Sequence, residues 1–425
     1  MALKVGELFA SFDLDASGMT GTIRTIETQL EGIGADMIRA GSTLSSMVTD
    51  PLKGIGKSIL SAGMDFTSQM SRVEAISGAS AAEMEKLNAE ALKMGSTTQF
   101  TATEAGQALE YMAMEGWKTS AMINGLEPIM NLAAASGENL ADVSDIVTDA
   151  MTAFGLEAKK ENIARFSDVL AQAASNSNTN VGLMGETFKY VAPVAGALGY
   201  NIEDAAIAIG LMANAGIKGS QSGTALRALL TRLSKPTKEV KTAMKDLGLS
   251  MTTSTGEMKP LRQLMTEMRG KFSGLTEQEK ALYAATLAGQ EGMSGLLAIV
   301  SASDKDFNKL AASIDNCEGA TGRMAATVLA NAKGDWTLFQ SAVEGAYVAL
   351  FTLNEQAIRK TIQSMTGLVD KFNALDGPMK QVILKMGILA AAIGPVLMYG
   401  GKALMLAGKI APAIAALVSP LGIVA

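Results

Sequence analysis

The chain has 425 residues, 48% hydrophobic and 18% charged, with 36 basic against 42 acidic side chains and a formal charge of −6. That length holds two or three domains with cores of their own, and a mildly acidic chain without a basic block gives phosphate backbones nothing to grip, which argues against specific nucleic-acid binding. Histidine is absent and Cys317 is the single cysteine, which excludes intrachain disulfides, cysteine-rich metal sites and Ser-His or Cys-His nucleophile pairs.

The opening MALKVGELFASFDLDASG has neither the long apolar core nor the small-residue cleavage site of a signal peptide. Synthesis in the cytoplasm is therefore expected. Within it, Gly6–Asp15 alternates loosely and is read as one short strand. Nearly everything after Gly21 reads as helix, because Ala, Leu, Met, Glu and Lys dominate and only nine prolines interrupt them. The expected class is all-α. KGIGKSIL, from Lys53, imitates a phosphate-binding loop, but G-x-x-x-x-G-K-[ST] needs glycine where Pro51 stands, and no strand precedes it.

Capping signals punctuate the helices. Thr101 and Glu104 sit three apart, as do Thr276 and Glu279, so each hydroxyl can cap a backbone N–H while the carboxylate reaches back. Similar starts occur at Asn201–Asp204 and Ser303–Asp306.

The most informative internal feature is a duplication. TATEAGQALEYMAMEGWKTS begins at Thr101 and NIEDAAIAIGLMANAGIKGS at Asn201. Ala105, Ala108, Met112, Ala113, Gly116, Lys118 and Ser120 recur as Ala205, Ala208, Met212, Ala213, Gly216, Lys218 and Ser220. The shared apolar positions form one helical stripe. Gly116 and Gly216 fall where a helix would end in a left-handed turn before a second helix. Copies spanning about 101–130 and 201–230 are thus expected as stacked helix–Gly–helix hairpins sharing a core. Small residues would let the helices approach closely, and methionines would fill irregular gaps. A weaker third copy is read from Lys280, with its turn at Gly292. The loops at Gly116, Lys118, Gly216 and Lys218 are candidates for a partner-binding surface, although a purely architectural role is the simpler reading.

From Asp335 to Leu375 one long helix is expected. Ile358, Ile362, Met365, Val369 and Phe372, spaced 4, 3, 4, 3, give it a short heptad seam. Asp376-Gly377-Pro378 ends it. Two uncharged stretches follow, MGILAAAIGPVLMYGG (386–401) and IAPAIAALVSPLGIVA (410–425). They are read as an apolar helical hairpin. Ile388, Leu389, Gly394, Pro395, Val396 and Leu397 are its candidate membrane segment. The first stretch reaches the roughly 20 residues of a spanning helix only if extended past Lys385 to Val382. The small residues suit close helix packing in lipid or inside a bundle. The apolar end at Leu421–Ala425 carries no helix cap, and continuation beyond it is expected. The organisation read from these signals is an N-terminal segment (1–64), a helical core (65–330), a long helix (331–377) and the apolar hairpin (378–425).

No constellation names a catalytic residue. The acidic pairs Glu83/Glu85, Glu277/Glu279 and Asp304/Asp306 are read as solvated helix-start charges, no metal-ligand spacing occurs, and no cofactor is expected. Cys317 is read as a small residue at least half buried.

Against this background, FTATEAGQALEYMAMEGWKTSAMINGLEPIMNLAAASGENLADVSDIVTDAMTAFGL, from Phe100, strongly resembles the core region of phage tail tape measure proteins. So do GIKGSQSGTALRALLTRLSKPTKEVKTAMKDLGL, from Gly216, and LTEQEKALYAATLAGQEGMSGLLAIVSAS, from Leu275, followed by GATGRMAATVLANAKGDW. The likeness covers roughly residues 65–350 in consistent order, and the opening VGELFASFDLDASGMTGTIRTIETQLEGIG is also similar to such proteins. The resemblance implies a structural, non-enzymatic role. A largely helical chain would lie in the tail lumen, template tube polymerisation, set tail length and leave at DNA ejection. It also implies tail assembly chaperones, tail tube protein and tip or baseplate hub proteins as partners, and a homo-oligomer, often a trimer. The host inner membrane is a further partner implied at ejection. One straight helix of this length would span roughly 640 Å, but the duplicated core cannot be straight and would contribute less. The other function class compatible with the residues is a membrane-active translocator or pore-former built on the apolar hairpin.

Overall fold

The computed structural model describes residues 50–373. The strand expected at Gly6–Asp15 and the apolar hairpin of 378–425 lie outside the described residues. A compact unit runs from Ile59 to Asn354, and the described stretches 50–58 and 355–373 belong to a second unit.

Sixteen helices form among the described residues. They are α1 (Asp50–Ser77), α2 (Ala81–Thr97), α3 (Ala102–Met114), α4 (Thr119–Ser136), α5 (Leu140–Ala153), α6 (Lys160–Ser175), α7 (Val181–Ala197) and α8 (Ile202–Asn214). They continue as α9 (Gly219–Ser234), α10 (Lys238–Leu247), α11 (Leu261–Ser273), α12 (Glu277–Ser301), α13 (Asp304–Asp315), α14 (Ala320–Leu329), α15 (Ala332–Thr352) and α16 (Glu355–Asn373). The only extended pairing among the described residues is an isolated antiparallel bridge, Thr252 to Met258. The all-α reading holds. KGIGKSIL lies inside α1, as helix and not as a loop.

The helix starts follow local chemistry. Thr101 and Thr276 form reciprocal capping boxes with Glu104 and Glu279, and Asn201 and Ser303 cap the N–H groups of Asp204 and Asp306. Ser80 with Glu83 makes a further box that the sequence reading passed over. Many helix ends are also uniform. At Gly116, Gly155, Gly199, Gly216 and Gly248 the backbone turns to positive φ. The apolar residue that follows, Trp117, Leu156, Tyr200, Ile217 or Leu249, donates its N–H back five residues, to Met112, Met151, Ala195, Met212 or Met244. This closes the last helical carbonyls and tucks an apolar side chain under the turn.

These tight reversals stack the helices in rows. Within the compact unit, each helix packs on the one two places along: α3, α5, α7, α9 and then α12 form one row, and α4, α6 and α8 a second. Helices α13 and α14 cover the second row, α13 against α6 and α8, α14 against α4 and α6. A helix in such a middle layer must be apolar all round. Helix α8 is buried from Ile202 to Ala213, and after the charged pair Glu203 and Asp204 in its first turn every residue from Ala205 to Ala213 is apolar. Close approach comes from small residues: a Cβ on Gly185 would lie 2.4 Å from Ile146, and one on Gly223 would lie 2.6 Å from the Thr187 carbonyl oxygen. Methionine sulfur fills the gaps between them, with Met212 Sδ 2.9 Å from where a Gly295 Cβ would be.

Two expectations need correction. No third hairpin turns at Gly292; α12 runs through it and kinks instead at Gly289, where φ is 74°. Gly292 is buried against α9, where a Cβ would meet the Ala225 carbonyl oxygen at 3.0 Å. The stretch expected as one long helix is divided at Leu353–Asn354 into α15 and α16. Of its heptad positions, all lie on α16, Ile358 is half-buried and Ile362 is 47% exposed.

Candidate functional site

Both duplicated turns have the expected geometry. Gly116 and Gly216 adopt φ of 75° and 88°. Lys118 and Lys218 then occupy the N-cap positions of α4 and α9 without a side-chain cap bond. Lys118 is exposed and Lys218 half-buried.

The structure does not bring the two turns together. Four helices lie between α3 and α8, so the two are five places apart, an odd offset, and the second copy has exchanged rows: α3 lies in the first row and α8 in the second. Helices within a row run parallel. Gly196, at the end of α7, lies against the Ala153 carbonyl oxygen at the end of α5, while Gly182, at the start of α7, donates to Glu138 before α5 at 3.4 Å. The Lys118 turn therefore shares an edge with the turns at 154–159 and 198–201. The Lys218 turn sits on the opposite edge, with the turns at 137–139 and 176–180. There, Asn178 N–H donates to Asn214 Oδ1 at 2.8 Å, and Thr187 Oγ1 donates to the Gly219 carbonyl at 3.0 Å. The copies do not stack on each other, since α5, α6 and α7 stand between them.

Their surroundings differ as well. Beneath the first turn Trp117 is buried, and a Cβ on Gly125 would come within 2.8 Å of its ring. Thr119, just past Lys118, donates to Glu83 at 3.3 Å. That bond adds to the backbone and side-chain bonds from Ser80 that hold the Glu83 carboxyl below its ordinary value. At the second turn Gly219, at φ of 57°, lies against the Glu186 carboxylate.

The buried charges of the compact unit are a feature the sequence reading missed. Asp168 on α6 is 4% exposed, Glu203 and Asp204 at the start of α8 are buried, and Cys317 lies beside them. Each carboxylate is satisfied. Asp168 accepts from the backbone of Gly319 and Thr321 and from the Thr321 hydroxyl. Glu203 pairs with Arg165. Asp204 accepts from Arg262 N–H at 3.0 Å and Arg262 Nε at 2.9 Å, and Arg262 also reaches Asp315 at 2.8 Å. Burial first, then Asp168 and Glu203, push the Cys317 thiol up to about 11, so it stays protonated and a poor nucleophile. These groups hold α8, α11, α13 and α14 together. The one legible signal was a charged residue inside an apolar run, as in FSDVLAQAA around Asp168.

Among the described residues, no group of three or more acidic, cysteine or histidine side chains could hold a metal ion. An opening of about 470 Å³ lies at the α12 kink between Arg227, Arg232 and Gln290. Arg227 there stacks 5.7 Å over the Tyr190 ring. No described helix is long and apolar enough to cross a membrane. The candidate membrane residues Ile388, Leu389, Gly394, Pro395, Val396 and Leu397 lie outside the described residues. What the described surface offers is contact area.

Comparison with known proteins agrees with that emphasis. Residues 88–289, from mid-α2 to the α12 kink, match the family of phage-related minor tail proteins. The chain is similar to the tape measure protein of Pneumococcus phage Dp-1, 33% identical over 419 residues, which is 96% of this chain and 36% of that one. It is also similar to the probable tape measure protein of Escherichia phage P2, 30% identical over 340 residues, covering 79% of this chain and 42% of that one. The chain thus spans less than half the length of either relative. No solved structure matches it.

Proposed function

The chain belongs to the phage tail tape measure proteins, and from that premise we propose that it is a structural and assembly component of a phage tail. The observation that carries this reading is the similarity to a tape measure protein across 96% of the chain. In this reading it lies in the tail lumen of the virion after assembly in the host cytoplasm. Tail tube protein polymerises around it, helped by tail assembly chaperones, and it meets tip or baseplate hub proteins at one end. Several copies, expected as a trimer, share one tube, and they leave when DNA is ejected.

The fold refines how such a chain would set length. A helix converts residues into distance at about 1.5 Å each, but the unit from Ile59 to Asn354 folds back on itself at nearly every glycine turn. It would therefore act as a folded anchor within the tail and add little to the ruler. The length would be set by chain outside this unit. Mass spectrometry of purified tails, with an amber mutant in the gene, tests the placement. The reading expects the protein in tails and heads without full tails from the mutant; normal tails without it would overturn the reading.

A second reading is favoured by the uncharged stretches at 386–401 and 410–425. They would insert into the host inner membrane at ejection, as a translocator does. Dye release from lipid vesicles by the full chain tests it. Release that is lost when 378–425 are deleted supports insertion, and intact vesicles oppose it.

A further inference from the structure

Helix α15 has two apolar faces, and among the described residues only one of them is packed. Its inner stripe, Gly334, Ser341, Gly345, Val348 and Phe351, is buried and packs the helix on α2. There Ser341 donates to the Gln99 carbonyl at 2.9 Å, and a Cβ on Gly345 would stand 3.7 Å from Ser96. The opposite face carries Trp336, Phe339, Val343, Ala346, Leu350 and the C-capping Leu353. Trp336 and Phe339 are 58% and 57% exposed, and Leu353 is 81% exposed. Ala346 is exposed, and Val343 and Leu350 are half-buried. The two aromatic rings lie 5.5 Å apart and pack on each other.

The spacing of these six residues is 3, 4, 3, 4, 3, the alternation that lets two helices bury a shared seam. We propose that this face docks on α15 of a second copy of the chain, helix along helix. Three observations select that occupant. First, a 3–4 alternation presents knobs and holes on one surface and so is complementary to itself, whereas a cleft-binding peptide would need a groove. Second, between Trp336 and Asn354 the sole charged residue is Glu344. It lies off the seam, near Glu104 and Asp65. Two copies therefore meet no like charges, and an oppositely charged partner would find nothing to pair with. Third, the same spacing resumes on α16 at Ile358, Ile362, Met365, Val369 and Phe372, so the helix that follows carries a pattern of the same kind.

The inference deepens the homo-oligomeric part of the proposed function and rests on it, and the test separates the two. In the full chain with Cys317→Ser, Ala346→Cys places a thiol on the seam and Lys309→Cys one on the exposed side of α13. A short bismaleimide then reports which face copies share, and light scattering reports whether they associate. We expect covalent dimers from Ala346→Cys and none from Lys309→Cys, with association lost in Phe339→Glu while its helical circular dichroism is kept. Association without linkage through Ala346→Cys, undisturbed by Phe339→Glu, would overturn the seam and leave the oligomer standing. A monomer at every concentration would overturn both. If Phe339→Glu unfolds, the two thiol positions decide alone.

Discussion

Asp168 on α6 caps α14, the helix that begins at Ala320, more than 150 residues later in the chain. Its Oδ1 accepts from Thr321 N–H at 2.8 Å and from Thr321 Oγ1 at 2.7 Å, while Oδ2 accepts from Gly319 N–H at 2.7 Å. Helix α14 has no cap of its own, because its N-cap is Gly319 at φ of 69°. The remote carboxylate satisfies the orphan N–H groups and places negative charge at the positive end of the helix. Asp168→Ala should therefore cost about 3 kcal/mol, since it leaves buried donors without partners. Asp168→Asn, which keeps one acceptor oxygen, should cost less. Denaturant melts of the three proteins, with hydrogen exchange at the Thr321 amide, check the order.

Two kinds of glycine should respond differently to alanine. Gly216 has open space where a Cβ would go, so Gly216→Ala carries only the strain of a positive φ, about 1 kcal/mol. Gly223 has ordinary helical backbone, yet a Cβ there would stand 2.6 Å from the Thr187 carbonyl oxygen and 2.7 Å from Tyr190. Helices α7 and α9 would have to separate, and Gly223→Ala should cost about 2–3 kcal/mol. Thermal melts that rank Gly216→Ala as the more damaging change would refute the row packing.

Glu344 on α15 sets a pH dependence. Burial first, then the carboxylates of Glu104 and Asp65, hold its pKa above the ordinary value of 4.5. A carboxyl raised in the folded state binds its proton more tightly there than in the unfolded chain. Its ionised form is thus a cost at neutral pH that is relieved as pH falls through the folded value. Glu344→Gln should stabilise the protein at pH 7 by on the order of 1 kcal/mol or less. The difference from wild type should shrink as pH falls toward 4.5. A constant difference between pH 7 and 4.5 would assign the effect to packing instead.

Cys317 supplies a built-in reporter. With its thiol pushed up to about 11 and 7% exposed, it should resist maleimide or disulfide reagents near pH 8 and react fully in denaturant. Rapid labelling of the native protein would show that the α13–α14 cover lifts from the second row.

Much of the fold was legible because its signals are local. Thr101 with Glu104, Thr276 with Glu279, Asn201 and Ser303 mark helix starts through bonds within one turn. Gly116 and Gly216 mark ends through φ alone. What could not be read depended on partners distant in the chain. AGQEGMSG offers Gly289, Gly292 and Gly295 for one kink. Close packing on Ala225 claims Gly292 and Gly295, which leaves Gly289 to break the helix. The hundred-residue repeat predicted two like turns but not that an odd offset between the helices sends them to opposite edges. Nothing local sets Asp168 or Asp204 apart from other helical acids, because their partners, α14 and Arg262, lie far along the chain. Nothing in the spacing of Trp336 and Phe339 says whether their face is covered, and only the folded unit shows them 58% and 57% exposed.

The proposed role is the measuring of a phage tail, with the unit from Ile59 to Asn354 as a folded part and the length set by chain outside it. In-frame deletions and duplications in the gene outside that unit, followed by electron microscopy of the particles, test it most directly. Tail length should change by about 1.5 Å for each residue removed or added. Tails of constant length across the series would contradict the claim.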